Sequence, residues 1–290
     1  MLYRNFTSQA EIDREYNAVT SVDDLSPYIE HDNLKNSEAI QELTSVLNER
    51  YGVSPDETID IFPSTQADSP IFIFIHGGYW HSMSSKDFSL VARGLVLNNI
   101  TVAIPNYSLC PKVTIEEITK QNCASIAWLY NNAKRINGSQ KKIIICGHSA
   151  GGQQVGIITA TDWKGEYGLP ENLIKGCIPI SGIFDLTPLY YSWLQAKLKL
   201  NMELIKSQSP LFQIAGNKTP MLISYGEKES AEFKRQSEDY FNALIEKGYD
   251  AQILEQKGKN HFMTFSDLNN PDSSFCRLVV EFIRKNIDSM

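Results

Sequence analysis

The 290-residue chain predicts an α/β protein, a mostly parallel central sheet covered by helices on both faces, with an N-terminal helical arm and a helical insertion. Two observations carry that prediction. Seven short strand-like runs alternate with amphipathic helical stretches from residue 57 onward, the rhythm of parallel strands joined by crossovers. Several of the runs, such as Lys142-Ile143-Ile144-Ile145-Cys146, are apolar without alternation, as strands buried on both faces should be.

Residues 1–55 are polar and helix-like. Ser8-Gln9-Ala10-Glu11 reads as a capping box that opens a short helix. Ile40, Leu43 and Leu47 then share one face of an expected second helix, closed by Gly52 and Pro55. This arm is too small to hold a core alone and is expected to pack on the main domain, residues 56–290. The strand-like runs are Thr58 to Phe62, Ile71 to Ile75, Thr101 to Ile104, Lys142 to Cys146, Gly176 to Ile180, Met221 to Tyr225 and Ala251 to Leu254. Between them, Cys123, Ile126, Ala127 and Tyr130 mark one helical face, and Phe233, Tyr240, Phe241, Leu244 and Ile245 another. Phe275, Leu278, Val279, Phe282 and Ile283 mark the last. Residues 186–213 break the rhythm with an aromatic, helical stretch (Tyr190, Tyr191, Trp193, Leu194, Leu198), read as an insertion and a candidate lid.

Composition narrows the function. With 27 basic and 34 acidic residues the net charge is −7, which argues against a nucleic-acid surface built from clustered Lys and Arg. No apolar run approaches the ~20 residues of a membrane-spanning helix. Met1 to Phe6 lacks the apolar core of a signal peptide. The five cysteines (Cys110, Cys123, Cys146, Cys177, Cys276) have no CxxC spacing and an odd count, so neither a zinc ribbon nor a disulfide framework is expected. A cytoplasmic protein follows, with no membrane or nucleic-acid partner, and the Asn-x-Ser/Thr triplets at Asn5, Asn106 and Asn137 then carry no weight.

The chemistry lies in Gly147-His148-Ser149-Ala150-Gly151. Gly-x-Ser-x-Gly is weak by itself, but here it follows a strand and opens a helix. At such a turn the Ser is strained, its hydroxyl stands free at the carboxyl edge of the sheet, and the helix N-terminus offers N–H groups to an anion. A Ser nucleophile needs a base. His31, His76, His81 and His148 all precede Ser149, and this elbow orders its parts as nucleophile, acid, histidine, which leaves His261. The acid should follow the strand Met221 to Tyr225, where Gly226-Glu227-Lys228-Glu229 favours Glu229. Glu227 is a rival two residues nearer the strand; Asp185 is a third option, more readily read as a helix cap. An oxyanion hole is expected from the N–H groups of Gly77, Gly78 and Ala150. His76 reads as structural, while Tyr79 and Trp80 are candidate walls of a substrate pocket that could equally be core.

These residues resemble the α/β-hydrolase superfamily and, within it, the kynurenine formamidase (arylformamidase)-like group. The resemblance rests on His-Gly-Gly-Tyr-Trp at 76–80, Gly-His-Ser-Ala-Gly at 147–151 and Ser-Gly-Ile-Phe-Asp-Leu at 181–186. It extends through residues 229–237 and Asn-His-Phe at 260–262, with Tyr-Arg-Asn-Phe at 3–6 and Glu-Tyr-Asn at 15–17. It implies Ser149 as nucleophile, His261 as base and Glu229 as acid, where many relatives carry Asp. It also implies hydrolysis of N-formyl-L-kynurenine to kynurenine and formate in tryptophan breakdown, with a carboxylesterase of small acyl esters as the alternative. No metal or organic cofactor is called for. The expected partner is a small-molecule substrate, and a homodimer is left open.

Overall fold

The computed structural model describes residues 1–214, 216 and 218–288. Among the described residues eight strands make one sheet: β1 (Val46–Arg50), β2 (Thr58–Phe62), β3 (Ser69–Ile75), β4 (Thr101–Pro105), β5 (Gly138–His148), β6 (Ile174–Ile180), β7 (Met221–Gly226) and β8 (Ala251–Gln256). Their spatial order is β1-β2-β4-β3-β5-β6-β7-β8. β2 runs antiparallel to both neighbours, and β4, β3, β5, β6, β7 and β8 pair in parallel. The helices are α1 (Gln9–Tyr16), α2 (Ser26–Glu42), α3 (Leu90–Val96), α4 (Ile115–Asn132), α5 (Ala150–Ile158), α6 (Trp163–Tyr167), α7 (Gln195–Leu198), α8 (Met202–Gln208), α9 (Ala231–Glu246) and α10 (Ser274–Asp288). Architecture and topology are those of the α/β-hydrolase fold.

The unbroken apolar runs serve two layers. Along β3, Ile71, Ile73 and Ile75 join the core under α1, α4, α5 and α9, while Phe72 and Phe74 join the one under α3 and α10. β5 divides likewise, with Ile143 and Ile145 on one side and Ile144 and Cys146 on the other. Side chains alternate across a strand, so both sets must be apolar when both faces are covered. No helix among the described residues is long and apolar enough to cross a membrane.

The N-terminal region departs from the expected pair of helices. The capping box forms as read, with Ser8 and Glu11 opening α1. The second helix, however, ends at Glu42, and Val46–Arg50 becomes the eighth strand, antiparallel to β2. Ile40 and Leu47 are exposed, so the Ile40/Leu43/Leu47 spacing marks no buried helical face. The stretch Leu43-Thr44-Ser45-Val46 is poor in helix formers, and the free edge of β2 captures it, with Asn48 N–H donating to Asp60 Oδ1 at 2.9 Å.

Sheet order places the functional loops. From β3 the chain moves to β4 on one side, then crosses back to β5 on the other. Such a reversal opens a crevice at the carboxyl ends of the two strands. The loops after β3 and β5 flank that crevice, and the loops after β7 and β8 approach it along the same edge.

Candidate active site

Ser149 sits at the switch point, between β5 and α5, with φ 57° and ψ −115°. A non-glycine residue rarely holds that conformation, and it persists only where the surroundings enforce it. Here Ser149 N–H donates to the Ile180 carbonyl of β6 at 2.9 Å. Gly151 lets α5 start against β3: a Cβ there would lie 2.0 Å from the Ile75 carbonyl oxygen. The Gly-x-Ser-x-Gly spacing is thus a demand for close approach as well as for strain.

His261 follows β8, and its Nδ1–H donates to Glu229 Oε1 at 2.5 Å. Glu229 is itself braced, its Oε2 accepting from Gly226 N–H at 2.7 Å and from Ser181 Oγ at 3.0 Å. The rival Glu227 lies outside the cluster, half-exposed and bonded to Lys257 Nζ at 3.3 Å and Gly258 N–H at 2.8 Å. Asp185 also lies outside the cluster, accepting from Thr187 N–H and from the Tyr3 hydroxyl, each at 2.8 Å, one residue before the Leu186 N-cap of the short helix that follows. The buried pair fixes the imidazole ring and leaves Nε2 as its second nitrogen for proton transfer.

Ser149 and His261 both line a cavity of about 460 Å3. Gly78 lines it too, with φ 99°, and an added Cβ there would meet the Ser82 carbonyl oxygen at 2.1 Å. A Cβ on Gly77 would stand 3.3 Å from Ser149 Cβ, so the backbone after β3 passes directly beside the serine. Ala150, buried, opens α5 immediately after Ser149. Gly77 and Ala150 thus flank Ser149, and Gly78 shares its cavity.

The two aromatic candidates part company. Tyr79 lines the cavity and stands edge-on to Trp193, ring centroids 5.8 Å apart. Trp80 does not: it is fully buried in the core, its Nε1–H donating to Gln153 Oε1 at 2.9 Å. Positive φ values of 49° and 59° turn the two consecutive side chains to different sides of the loop, which sequence spacing cannot resolve.

Two buried histidines, His148 and His76, brace the strand ends beside the site. His148 Nε2–H donates to the His261 carbonyl oxygen at 3.0 Å, tying the β8 loop to the elbow. Burial holds its pKa well below the usual range, with the adjacent His261 reinforcing the effect, so His148 stays neutral. Chain order assigns His148 no role, and its place beside Ser149 is the one signal for it in the sequence. His76 is buried, stacks on Tyr107 at 4.0 Å and donates from Nδ1 to the Gly77 carbonyl at 2.8 Å. Burial lowers its pKa to about 4.

The cavity has a roof from the N-terminal region, also missed by sequence reasoning. Residues 17–19 and one face of α2 close it, and Trp193, between β6 and β7, contributes beside them. Polar ties hold this roof down. Trp193 N–H donates to Asp13 Oδ1 at 3.0 Å, the Tyr79 hydroxyl donates to the Tyr16 carbonyl, and Asn260 Nδ2 donates to the Tyr28 hydroxyl at 2.8 Å. The Tyr16 hydroxyl donates to Glu232 Oε2 at 2.8 Å and accepts from Gln236 Nε2 at 2.9 Å. Asn36 joins α2 to the main body, donating to the Asp87 carbonyl at 3.0 Å and accepting from Leu90 N–H at 2.8 Å.

The BD-FAE family profile matches residues 59–244. The chain is 28% identical over 250 residues to the kynurenine formamidase of Salmo salar, covering 83% of each protein. It is 29% identical over 260 residues to that of Drosophila melanogaster, covering 80% of this chain and 83% of the relative. Among solved structures, a candidate thioesterase from Silicibacter sp. TM1040 superimposes with a TM-score of 0.80 at 27% identity, covering 94% of this chain and 98% of the other. A Pyrobaculum calidifontis esterase shares the fold, with a TM-score of 0.70 at 16% identity over 98% of this chain and 99% of the other. On fold, family match and relatives together, the chain belongs to the BD-FAE family, as an α/β-hydrolase of the kynurenine formamidase-like group that hydrolyses amide or ester bonds.

Proposed function

We propose that the protein is a serine hydrolase of aryl formamides, with N-formylkynurenine as substrate and Ser149, His261 and Glu229 as the catalytic triad. The observation that carries the reading is the strained Ser149 sharing a cavity with a His261 braced by buried Glu229 at 2.5 Å. The substrate rests on likeness to kynurenine formamidases over about four fifths of the chain.

In this mechanism Ser149 Oγ attacks the formyl carbon as His261 Nε2 takes the hydroxyl proton. The carbonyl oxygen becomes an oxyanion facing the N–H groups of Gly77, Gly78 and Ala150, where loss of one donor typically costs ~3 kcal/mol of transition-state stabilisation. The intermediate collapses, the C–N bond breaks, and His261 protonates the departing arylamine. Water, deprotonated by His261, then attacks the formyl ester on Ser149 and releases formate. Glu229 keeps the imidazole in the required tautomer and stabilises the imidazolium formed in each half-reaction. Tyr79 walls the substrate cavity. The five cysteines are all free and buried, which supports a reducing, cytoplasmic setting.

The test is turnover of N-formylkynurenine and 4-nitrophenyl acetate by the protein and by Ser149→Ala. Formamide turnover well above ester turnover is expected, and Ser149→Ala should lower both by roughly 10^5-fold or more. Ester turnover alone would replace this reading with a small-acyl carboxylesterase. Turnover indifferent to Ser149→Ala would remove the mechanism.

A further inference from the structure

We propose that Asp32 makes the cavity selective for acyl donors carrying an ammonium group. This rests on the hydrolase reading above and adds to it the charge class of the substrate.

Leu25 precedes α2, and Tyr28, Ile29, Asp32, Asn33 and Asn36 follow it at helical spacing; all six line the cavity. Asp32 is the charged residue on this face, and its side chain retains only 20% exposure. Its Oδ1 accepts from His31 Nδ1 at 3.0 Å, and among the described residues Oδ2 has no hydrogen-bond partner. His31 is half-exposed and lies outside the lining, so it does not satisfy the carboxylate from within the cavity.

Among the described residues, no lysine or arginine lines this cavity. The second carboxylate in the lining, Asp87, is committed, its Oδ2 accepting from Ser84 N–H at 2.8 Å and Ser84 Oγ at 3.1 Å. The remaining titratable groups in the lining are the phenols of Tyr28 and Tyr79 and three histidines, His81, His148 and His261, of which His148 is kept neutral. The walls include the aromatic rings of Tyr28, Tyr79, Trp193 and Phe262, whose faces attract cations.

A half-buried carboxylate facing a largely apolar cavity is costly unless a cation joins it. Burial pushes the Asp32 carboxyl above its usual range, the direction expected for a group awaiting a counter-charge. An incoming ammonium would donate to Asp32 Oδ2 and lie against the faces of the aromatic walls. A carboxylate on the substrate would instead find no lysine or arginine among the described lining residues and would face repulsion from Asp32 and Asp87. The site thus suits aryl formamides that bear an amine, and the α-carboxylate of an amino-acid substrate should add nothing to binding.

The test measures kcat/KM of the full-length protein on N-formylkynurenine and on its deaminated analogue, in wild type, Asp32→Asn and Asp32→Lys. A matched pair, the 4-nitrophenyl esters of 6-aminohexanoate and of hexanoate, is run beside them. Wild type is expected to favour the amine-bearing member of each pair by tenfold or more, through KM. Asp32→Asn should bring that ratio close to one, and Asp32→Lys should invert it. A wild-type ratio near one, or a ratio that both variants leave unchanged, overturns the proposal. Absence of formamide turnover would defeat the proposed substrate instead, and the ester pair would still decide the role of Asp32.

Discussion

The floor and the roof of the cavity are built differently. The floor is strand ends and buried bonds: Ser149 is clamped to β6, Glu229 is held by Gly226 and Ser181, and His148 ties the His261 loop to the elbow. The roof is a helix face and a short connection held by individual polar ties, with the lining residues Ile29 and Val19 half-exposed. Chemistry demands reacting groups placed to a fraction of an ångström, which a sheet edge supplies. Selection among substrates is assigned to the part that can vary without disturbing the elbow. Floor substitutions should therefore act on kcat for every substrate, and roof substitutions on KM in a substrate-dependent way.

The sharpest break in that comparison comes from Glu229→Gln. Loss of the carboxylate that orients His261 should lower kcat about 10^3- to 10^4-fold with formamide and ester alike. Glu227→Gln, outside the cluster, should stay close to wild type. Steady-state kinetics of the two variants decide between the carboxylates, and a collapse confined to Glu227→Gln would reverse the assignment.

The floor also predicts an acid limit to stability. His76 is buried neutral, its pKa about 4 against an ordinary 6.5. As pH falls through this window the unfolded chain takes up a proton that the folded protein refuses. Stability is therefore full above about 6.5 and falls toward 4, by roughly 3 kcal/mol for His76. His148, lowered in the same direction by burial, adds to the slope. Urea unfolding at several pH values should show this loss, and His76→Asn should flatten it; an unchanged slope in that variant would contradict the argument.

The smallest effect belongs to the roof. Tyr16→Phe removes the hydroxyl shared by Glu232 and Gln236. A loss of about 1 kcal/mol in stability is expected, with KM rising a few-fold and kcat held. A fall in kcat with unchanged KM would mean that roof and floor are not separable.

This division also explains what could be read from sequence. Each floor component is a local motif at a strand end (His-Gly-Gly, Gly-x-Ser-x-Gly, Gly-x-x-Glu, Asn-His), and chain order alone excludes four of five histidines. Strand runs were legible because both faces of the sheet are buried. The roof is not legible: Tyr28, Asp32 and Asn36 sit in a polar helix whose partners are far off in sequence, 51 and 54 residues for Asn36 and 232 for Tyr28. The β1 segment was lost for the same reason, since the free edge of β2 overrode a helical spacing. Tyr79 and Trp80 are neighbours of one kind in sequence, and only the backbone turn separates cavity wall from core.

The central claim is that Ser149 is the nucleophile activated by His261. It is tested most directly by reacting the protein with a fluorophosphonate and mapping the adduct by peptide mass spectrometry. One adduct is expected, on Ser149, forming at least a hundredfold more slowly in His261→Ala. An adduct on another residue with Ser149 unmodified, or labelling of Ser149 at an unchanged rate without His261, would contradict it.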